Sequence, residues 1–118
     1  MKIVTIHQPE HLSYLGFFHK VAMADTLVLL DNVRYEKNYF QNRNRIYTQN
    51  GVRYITVPVT NTHGLIKDVE ICCGYFTHQC LKNVRSIEQA YSKAPFFGKY
   101  GDTILSQYVW EHSLAIDL

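Results

Sequence analysis

The chain of 118 residues has a mass of 13.8 kDa, which is enough for one packed core but not for two. Hydrophobic residues make up 47% and charged residues 19%, a balance typical of globular proteins rather than of disordered, collagen-like or coiled-coil chains. The net charge of +2 is too small to indicate a nucleic-acid or membrane partner, and no apolar run reaches the ~18 residues of a membrane span.

The N-terminal part of the chain predicts a βαβ unit. A β-branched run over Lys2–Ile6 predicts a strand. Apolar side chains at helical spacing from Tyr14 onward predict a helix that ends near Ala24, with Ser13 as its N-cap. The apolar run Thr26–Leu30 shows no alternation, which is expected for a strand that is covered on both faces. The two strands of such a unit pair in parallel.

The middle of the chain predicts an antiparallel β-hairpin. Two strand-like runs, Arg45–Thr48 and Val52–Val59, flank the dipeptide Asn50-Gly51. An Asn-Gly pair can supply the two positive φ angles of a tight hairpin turn. The run Leu65–Ile71 predicts one further strand.

The C-terminal part predicts two helices. Helical spacing over Cys80–Ala94, with Thr77 as a candidate cap, ends before a proline, and a last helix extends from about Pro95 toward Ala115. The final residues are apolar and lack a capping signal, which indicates either that another chain covers this helix or that the chain is short. The whole pattern predicts an α/β fold: a βαβ unit with parallel strands, then an antiparallel hairpin and two C-terminal helices.

Candidate catalytic residues follow the two strands of the βαβ unit. Ligands of open α/β sheets bind beyond the carboxyl ends of the strands, which here are followed by His7-Gln8 and by Asp31. His7 suits a general acid, a general base or a phosphate ligand near neutral pH. A structural role, in which His7 caps the next helix or bonds a backbone carbonyl, is an equal alternative. For His11 a structural role is favoured, and Glu10 is expected to be a solvated carboxylate.

The segment from Arg34 to Arg53 is basic and interleaved with aromatic residues. Arginine forks bind phosphate oxygens and amide side chains both donate and accept, so the segment predicts a site for a phosphorylated ligand such as a nucleotide-sugar. The ligand-binding residues that this pattern predicts are Gln41, Asn42, Arg43 and Asn44. Such a pattern also fits single-stranded nucleic acid, although the pI of 8.4 is low for that class, or a hairpin that is merely solvated.

The cysteines do not indicate a disulfide framework or a metal site. Cys72, Cys73 and Cys80 are odd in number, and two adjacent cysteines rarely both reach one tetrahedral zinc centre, even with His78 nearby. Cys80 lies on the apolar stripe of its helix, which favours core packing. We therefore expect reduced thiols, no metal and no cofactor. The N-terminus lacks a signal-peptide pattern, so we expect a cytoplasmic protein.

Two signatures resemble the opening of the WbqC-like protein family. They are HQPE…LGFFHK and LLDNV…FQNRNRI, and weaker similarities follow in RYITVPV, IKDVEI and YSKAPFFGKY, so the resemblance covers nearly the whole chain. Members of that family are typically about twice this length. The resemblance therefore implies that residues 1–118 form one domain that is the N-terminal half of a longer family domain. Family members usually have proline at the position of Ser13 and often an aromatic residue at that of His11, which points to a different first loop.

The resemblance implies a role in the biosynthesis of bacterial surface polysaccharides such as O-antigen. The implied activity is a transferase that acylates an amino sugar on its nucleotide carrier. In that role His7 would be a base or phosphate ligand, and Asp31 would orient either His7 or a substrate hydroxyl or amine. Arg43 with Lys37 would bind the diphosphate. The family motifs also imply ligand-binding roles for Gln8, Gln41, Asn42 and Asn44. The alternative is a non-catalytic half-domain that docks a second copy or a partner chain through its last helix.

Overall fold

The computed structural model describes residues 1–72 and 78–109. Its strands are β1 (Val4–His7), β2 (Thr26–Leu29), β3 (Arg43–Thr48), β4 (Gly51–Thr56), β5 (Val59–Thr60) and β6 (Glu70–Ile71). Its α-helices are α1 (Leu15–Ala22), α2 (Cys80–Tyr91) and α3 (Phe97–Val109). β1 and β2 are parallel and β3 and β4 are antiparallel, which confirms the predicted α/β fold class.

The βαβ unit forms as predicted, but its helix begins differently. β1 and β2 pair in register from Val4 with Thr26 onward. Tyr14 occupies the N-cap position of α1 without a side-chain hydrogen bond, so the prediction of Ser13 as N-cap is wrong. The Ser13 hydroxyl instead donates to the Glu10 carbonyl at 3.0 Å. Serine hydroxyls readily make such local backbone bonds, and this one stabilises the first loop rather than the helix.

The expected burial of β2 on both faces is also wrong. Val28 and Leu29 are 41% and 43% exposed, and α1 contains no buried residue, with Phe18 at 55% exposure. The sheet has two strands, and the exposure of Val28, Leu29 and α1 shows that the described residues leave this unit partly uncovered. The uninterrupted apolar run of β2 is therefore partly exposed to solvent rather than buried.

The hairpin forms as predicted, with a different turn. Thr48 pairs with Gly51, so Gln49 and Asn50 make the two-residue loop. Within this turn Gly51 has a positive φ, +98°, and Asn50 does not, so the prediction of two positive φ angles at Asn50-Gly51 is wrong. A glycine at positive φ directly after the loop is the pattern of a type I turn closed by a glycine bulge, the other common way to join two strands.

The main core lies between the hairpin and the two C-terminal helices. Ile46 of β3 and Ile55 of β4 lie on the same side of the hairpin and are each 3% exposed. The other buried members of this cluster are Val57, Ile71, Cys80, Ile87 and Tyr108. Alternation along the strands and helical spacing along α2 bring these apolar side chains to one interior. The predicted core position of Cys80 is confirmed.

The segment predicted as one strand over Leu65–Ile71 is divided. A 3₁₀ helix spans Ile66–Asp68, and only Glu70–Ile71 forms a strand, paired with β5. The prediction is wrong in extent because Ile66 and Val69, three residues apart, both turn into a second cluster with Tyr35. That spacing suits a helical turn rather than a strand.

The C-terminal helices agree with the predicted order. α2 buries Cys80, Asn83 and Ile87 and packs against α3. The candidate cap Thr77 and the predicted end of the last helix toward Ala115 lie outside the described residues. No helix in the ranges 1–72 and 78–109 is both long enough and apolar enough to cross a membrane.

Candidate functional site

The two predicted catalytic residues lie at the same end of the parallel sheet. His7 ends β1, and the Leu30 N–H donates to its carbonyl at 2.8 Å, one residue before Asp31. His7 Nδ1 lies 2.7 Å from the Gln8 carbonyl oxygen. Because a carbonyl oxygen only accepts, this contact assigns the proton to Nδ1 and leaves Nε2 of the neutral ring unprotonated. The ring also packs edge-on against Phe17, with centroids 5.0 Å apart.

A hydrogen bond joins the two loops that carry the predicted site. Gln41 Nε2 donates to Gln8 Oε1 at 3.1 Å, and Gln41 Oε1 accepts from the Glu36 N–H at 2.9 Å. Gln41 is buried. The bond connects the neighbour of His7 with a residue two positions before Arg43. Gln8 and Gln41 therefore hold one loop against the other.

The two asparagines among the predicted ligand-binding residues, Asn42 directly before β3 and Asn44 within it, are likewise hydrogen-bonded within the protein. Asn42 Oδ1 accepts from the Tyr35 hydroxyl at 2.8 Å, and Asn42 Nδ2 donates to the Val57 carbonyl at 2.8 Å. Asn44 Nδ2 donates to the carbonyls of residues 11 and 12, at 3.0 and 2.8 Å. These amides position backbone segments that are distant in sequence, which is a structural use of their donors and acceptors.

Two of the predicted cationic side chains line one cavity of about 230 Å³. We call it the basic cavity; it is lined by Tyr35, Lys37, Asn38, Asn42, Arg43, Thr56, Val59 and Thr62. Arg43 Nη2 donates to the Asn38 carbonyl at 2.5 Å, and its guanidinium carbon lies 4.8 Å from the centre of the Tyr54 ring. Burial raises the pKa of Tyr35, and the positive charge of Arg43 partly offsets this effect. No acidic residue lines the described part of this cavity.

A second cavity, of about 260 Å³, lies on the other part of the same segment. We call it the aromatic cavity; it is lined by Glu10, Tyr14, Tyr39, Phe40, Asn44 and Arg45. The rings of Tyr39 and Phe40 have centroids 5.2 Å apart. Glu10, expected to be a solvated carboxylate, is partly buried and belongs to this cavity. The aromatic cavity combines three rings with one negative and one positive side chain.

His11 anchors the first loop to the core, as its favoured structural role predicted. It is 7% exposed, and its Nε2 lies 2.9 Å from the Tyr108 hydroxyl of α3. The backbone N–H of His11 donates to the Phe40 carbonyl at 2.8 Å. Burial lowers the pKa of His11 from 6.5 to about 4, so the ring is neutral at physiological pH.

The predicted site residues are thus only partly brought together. Lys37 and Arg43 share the basic cavity with one of the amides, whereas His7 and Asp31 line neither of the two cavities. Sequence reasoning missed Asn38, whose backbone carbonyl orients Arg43. Asn38 has a φ of 64°, and the one sequence signal for this conformation is that asparagine tolerates the left-handed region better than most residues. It also missed Tyr14, because its spacing indicated only that it lies on one face of the predicted helix, whereas it precedes the helix and lines the aromatic cavity.

The thiols and imidazoles of the described residues do not form a metal-binding group. Cys72 is partly buried, Cys80 is buried and His78 is exposed, and no cluster of three or more potential ligands occurs in residues 1–72 and 78–109. Cys73 lies outside these ranges, so the expectation of no zinc site stays a prediction.

Comparison with known proteins agrees with the resemblance of the two signatures. The model of the WbqC-like protein family matches residues 8–117. The chain is 31% identical over all of its 118 residues to the uncharacterized protein Rv1507c of Mycobacterium tuberculosis (strain ATCC 25618 / H37Rv), and it spans 51% of the length of that curated relative. No solved structure matches the chain significantly. With a family match that extends over nearly all of its residues, the chain belongs to the WbqC-like protein family.

Proposed function

We propose that the protein binds a phosphorylated small molecule, in the first place a nucleotide-sugar, in the basic cavity. The observation that carries the proposal is the placement of Arg43, whose guanidinium is held between the Asn38 carbonyl and the Tyr54 ring. Only one hydrogen bond to a described residue uses this guanidinium, so other N–H donors are available to a ligand. A pre-oriented arginine is suited to bidentate binding of phosphate.

The surroundings of Arg43 favour an anion over other ligands. Lys37 supplies a second positive charge, and the hydroxyls of Thr56 and Thr62 supply further donors. The lining residues carry no carboxylate that would repel a phosphate. A cavity of about 230 Å³ is small for a whole nucleotide-sugar, so we expect it to hold the diphosphate while the rest of the ligand extends beyond it.

The proposal extends to a transferase of surface-polysaccharide biosynthesis that modifies an amino sugar in the cytoplasm. What supports it is the contact of His7 Nδ1 with the Gln8 carbonyl, which leaves Nε2 of the neutral ring as an acceptor. This nitrogen could take the proton that a sugar amine loses as it attacks the carbonyl carbon of an activated acyl donor and displaces the leaving group of that donor. Asp31 follows the neighbouring strand and would orient the histidine or the amine. The bond between Gln8 and Gln41 ties this strand end to the loop of Arg43.

Calorimetry with nucleotide-sugars tests the binding part of the proposal. The wild type should bind, and Arg43→Ala should weaken binding by roughly tenfold to over a hundredfold, because a charge-assisted hydrogen bond contributes about 1.5–3 kcal/mol. Arg43→Lys should retain part of the affinity, since it keeps the charge and loses the fork.

Arg53→Ala is the matched control. Arg53 is an exposed arginine of the same hairpin on the opposite side from Arg43, and it does not line the basic cavity. We expect its affinity to stay within about twofold of the wild type, since an exposed distant charge is screened by salt. Absence of binding to the wild type, or equal loss in the Arg43 and Arg53 variants, would contradict the proposal.

A second candidate function, docking of another polypeptide, is favoured by the surface of α3. Tyr100 and Ile104 of α3 are 50% and 45% exposed, and Phe96, directly before the helix, is 70% exposed, so the three side chains recur every four residues. This spacing places them on one side of the helix, where they form an apolar stripe. A contiguous apolar stripe on a surface is typical of a protein interface. We propose a second copy of the chain as the occupant.

A further inference from the structure

The aromatic cavity takes no part in the binding of a diphosphate by the basic cavity. Its three rings, Tyr14, Tyr39 and Phe40, face a space of about 260 Å³ together with the side chains of Glu10 and Arg45. We propose that this cavity binds the sugar ring of the ligand. The inference rests on the proposed function, because it names the subsite that receives the part of a nucleotide-sugar beyond its diphosphate.

The composition of the aromatic cavity fits a neutral polyhydroxylated ring. A pyranose ring offers an apolar C–H face that can lie on an aromatic ring, and a rim of hydroxyl groups that both donate and accept. The Glu10 carboxylate accepts hydrogen bonds and the Arg45 guanidinium donates them, so together they can bind a pair of hydroxyls. Because the two charges are opposite, the cavity favours neither a bare anion nor a bare cation.

The aromatic cavity is accessible to solvent, and hydrogen bonds between its two walls fix its shape. Tyr14 and Tyr39 are 58% and 44% exposed, so their rings are accessible from solvent. The two loops that form its walls are joined by the bond from the His11 N–H to the Phe40 carbonyl, and by the bonds from Asn44 Nδ2 to the carbonyls of residues 11 and 12. A pre-formed site loses less conformational entropy when a ligand binds.

One segment of the chain supplies both cavities. Within residues 37–45, Lys37 and Arg43 line the basic cavity, whereas Tyr39 and Arg45 line the aromatic cavity. The side chains of Arg43 and Arg45 lie on the same side of β3, because residues two apart in a strand share a face. A ligand with a diphosphate and a ring can thus contact neighbouring positions of one strand.

Paired calorimetry with UDP-N-acetylglucosamine and UDP tests this inference. Tyr39→Ala should weaken binding of the nucleotide-sugar roughly tenfold, as expected for the loss of one stacking ring, and should leave UDP within about twofold. Tyr39→Phe keeps the ring and should retain most of the affinity. Arg43→Ala should weaken both ligands, because both carry the diphosphate.

Tyr47→Ala serves as the control. Tyr47 is an aromatic residue of β3 that is 74% exposed and lines neither cavity, so its removal should change neither affinity. If Tyr39→Ala weakens UDP as much as the nucleotide-sugar, the cavity binds the nucleobase and the inference is overturned. No effect of Tyr39→Ala on either ligand also overturns it.

A separate experiment distinguishes failure of this inference from failure of the proposed function. If the wild type binds neither nucleotide ligand, saturation-transfer NMR is run with methyl glycosides of N-acetylglucosamine and mannose. A signal that Tyr39→Ala removes and Arg43→Ala keeps would support the sugar subsite without the phosphate site. Absence of any signal would overturn both proposals.

Discussion

His11 shows how one side chain connects the candidate site to the core. Its ring is buried and hydrogen-bonded to the Tyr108 hydroxyl of α3. Its backbone N–H donates to the Phe40 carbonyl, and its backbone carbonyl accepts from the Asn44 side-chain amide. A buried neutral imidazole is stable only while it remains unprotonated. The position of the first loop therefore depends on a residue whose charge changes within the pH range of ordinary experiments.

The stability of the protein should fall in mild acid because of His11. Its pKa is 6.5 in the unfolded chain and about 4 in the folded protein, so below pH 6.5 the unfolded state binds the proton first. The His11 contribution is fully present above pH 6.5 and is lost as the pH falls to 4, with a loss of about 2 kcal/mol in unfolding free energy by pH 5.

Urea unfolding of the wild type and of His11→Gln at about pH 7.5 and about pH 5 measures this contribution. Glutamine has no proton to gain in this range, so the variant should lose about 2 kcal/mol less than the wild type over the same interval. Equal losses in the two proteins would show that His11 is not buried in neutral form.

The elements of the fold are specified locally to different degrees. The hairpin carries its own turn signal, and the glycine at positive φ is required by the backbone. The start of α1 has no side-chain cap. Most of the strand expected over Leu65–Ile71 is replaced by a 3₁₀ helix, because Ile66 and Val69 pack together in one buried cluster. Turn chemistry acts over a few residues, whereas burial depends on the rest of the molecule.

Two glycine substitutions should change stability in opposite directions. Gly51 has a φ of +98°, where an alanine Cβ is strained, so Gly51→Ala should lower the unfolding free energy by about 1 kcal/mol. Gly98 lies in α3 with open space around it, so Gly98→Ala should raise the unfolding free energy by up to about 1 kcal/mol. Thermal unfolding of both variants and of the wild type measures these two changes in stability. A stabilising Gly51→Ala would contradict the hairpin turn described here.

At the scale of the whole molecule, apolar surface is distributed unevenly. The core between the hairpin and the helices is closed, whereas the βαβ unit and the outer stripe of α3 leave large apolar side chains open. Parallel sheets are normally covered on both faces. The chain spans 51% of the length of its matched relative in Mycobacterium tuberculosis.

Light scattering of the purified chain tests the proposal that the α3 stripe docks a second copy. We expect a mass near that of two chains of 13.8 kDa, and Ile104→Lys should restore the monomer, because a charge cannot be buried cheaply in an apolar interface. Phe18→Lys on α1 is the control, since Phe18 is comparably exposed on a different surface. A monomeric wild type would reject the docking proposal, and dissociation by Phe18→Lys alone would assign the interface to the βαβ unit.

The sequence by itself determined the type and order of the main elements. Periodicity and turn residues are local, so the parallel unit, the hairpin and the two C-terminal helices could be predicted, and the signatures around His7 and Arg43 indicated the family. Local patterns also predicted the core position of Cys80 and the structural role of His11.

Only the tertiary structure decided which candidate residues share a cavity and which side chains serve the fold. Gln8 bonds Gln41, and Asn44 bonds the carbonyls of residues 11 and 12, across more than thirty positions of sequence. Such contacts depend on how the loops converge in space, which no local pattern encodes. For the same reason Tyr14 lines a cavity, and the apolar run of β2 lies at the surface, because exposure is a property of what packs against a residue.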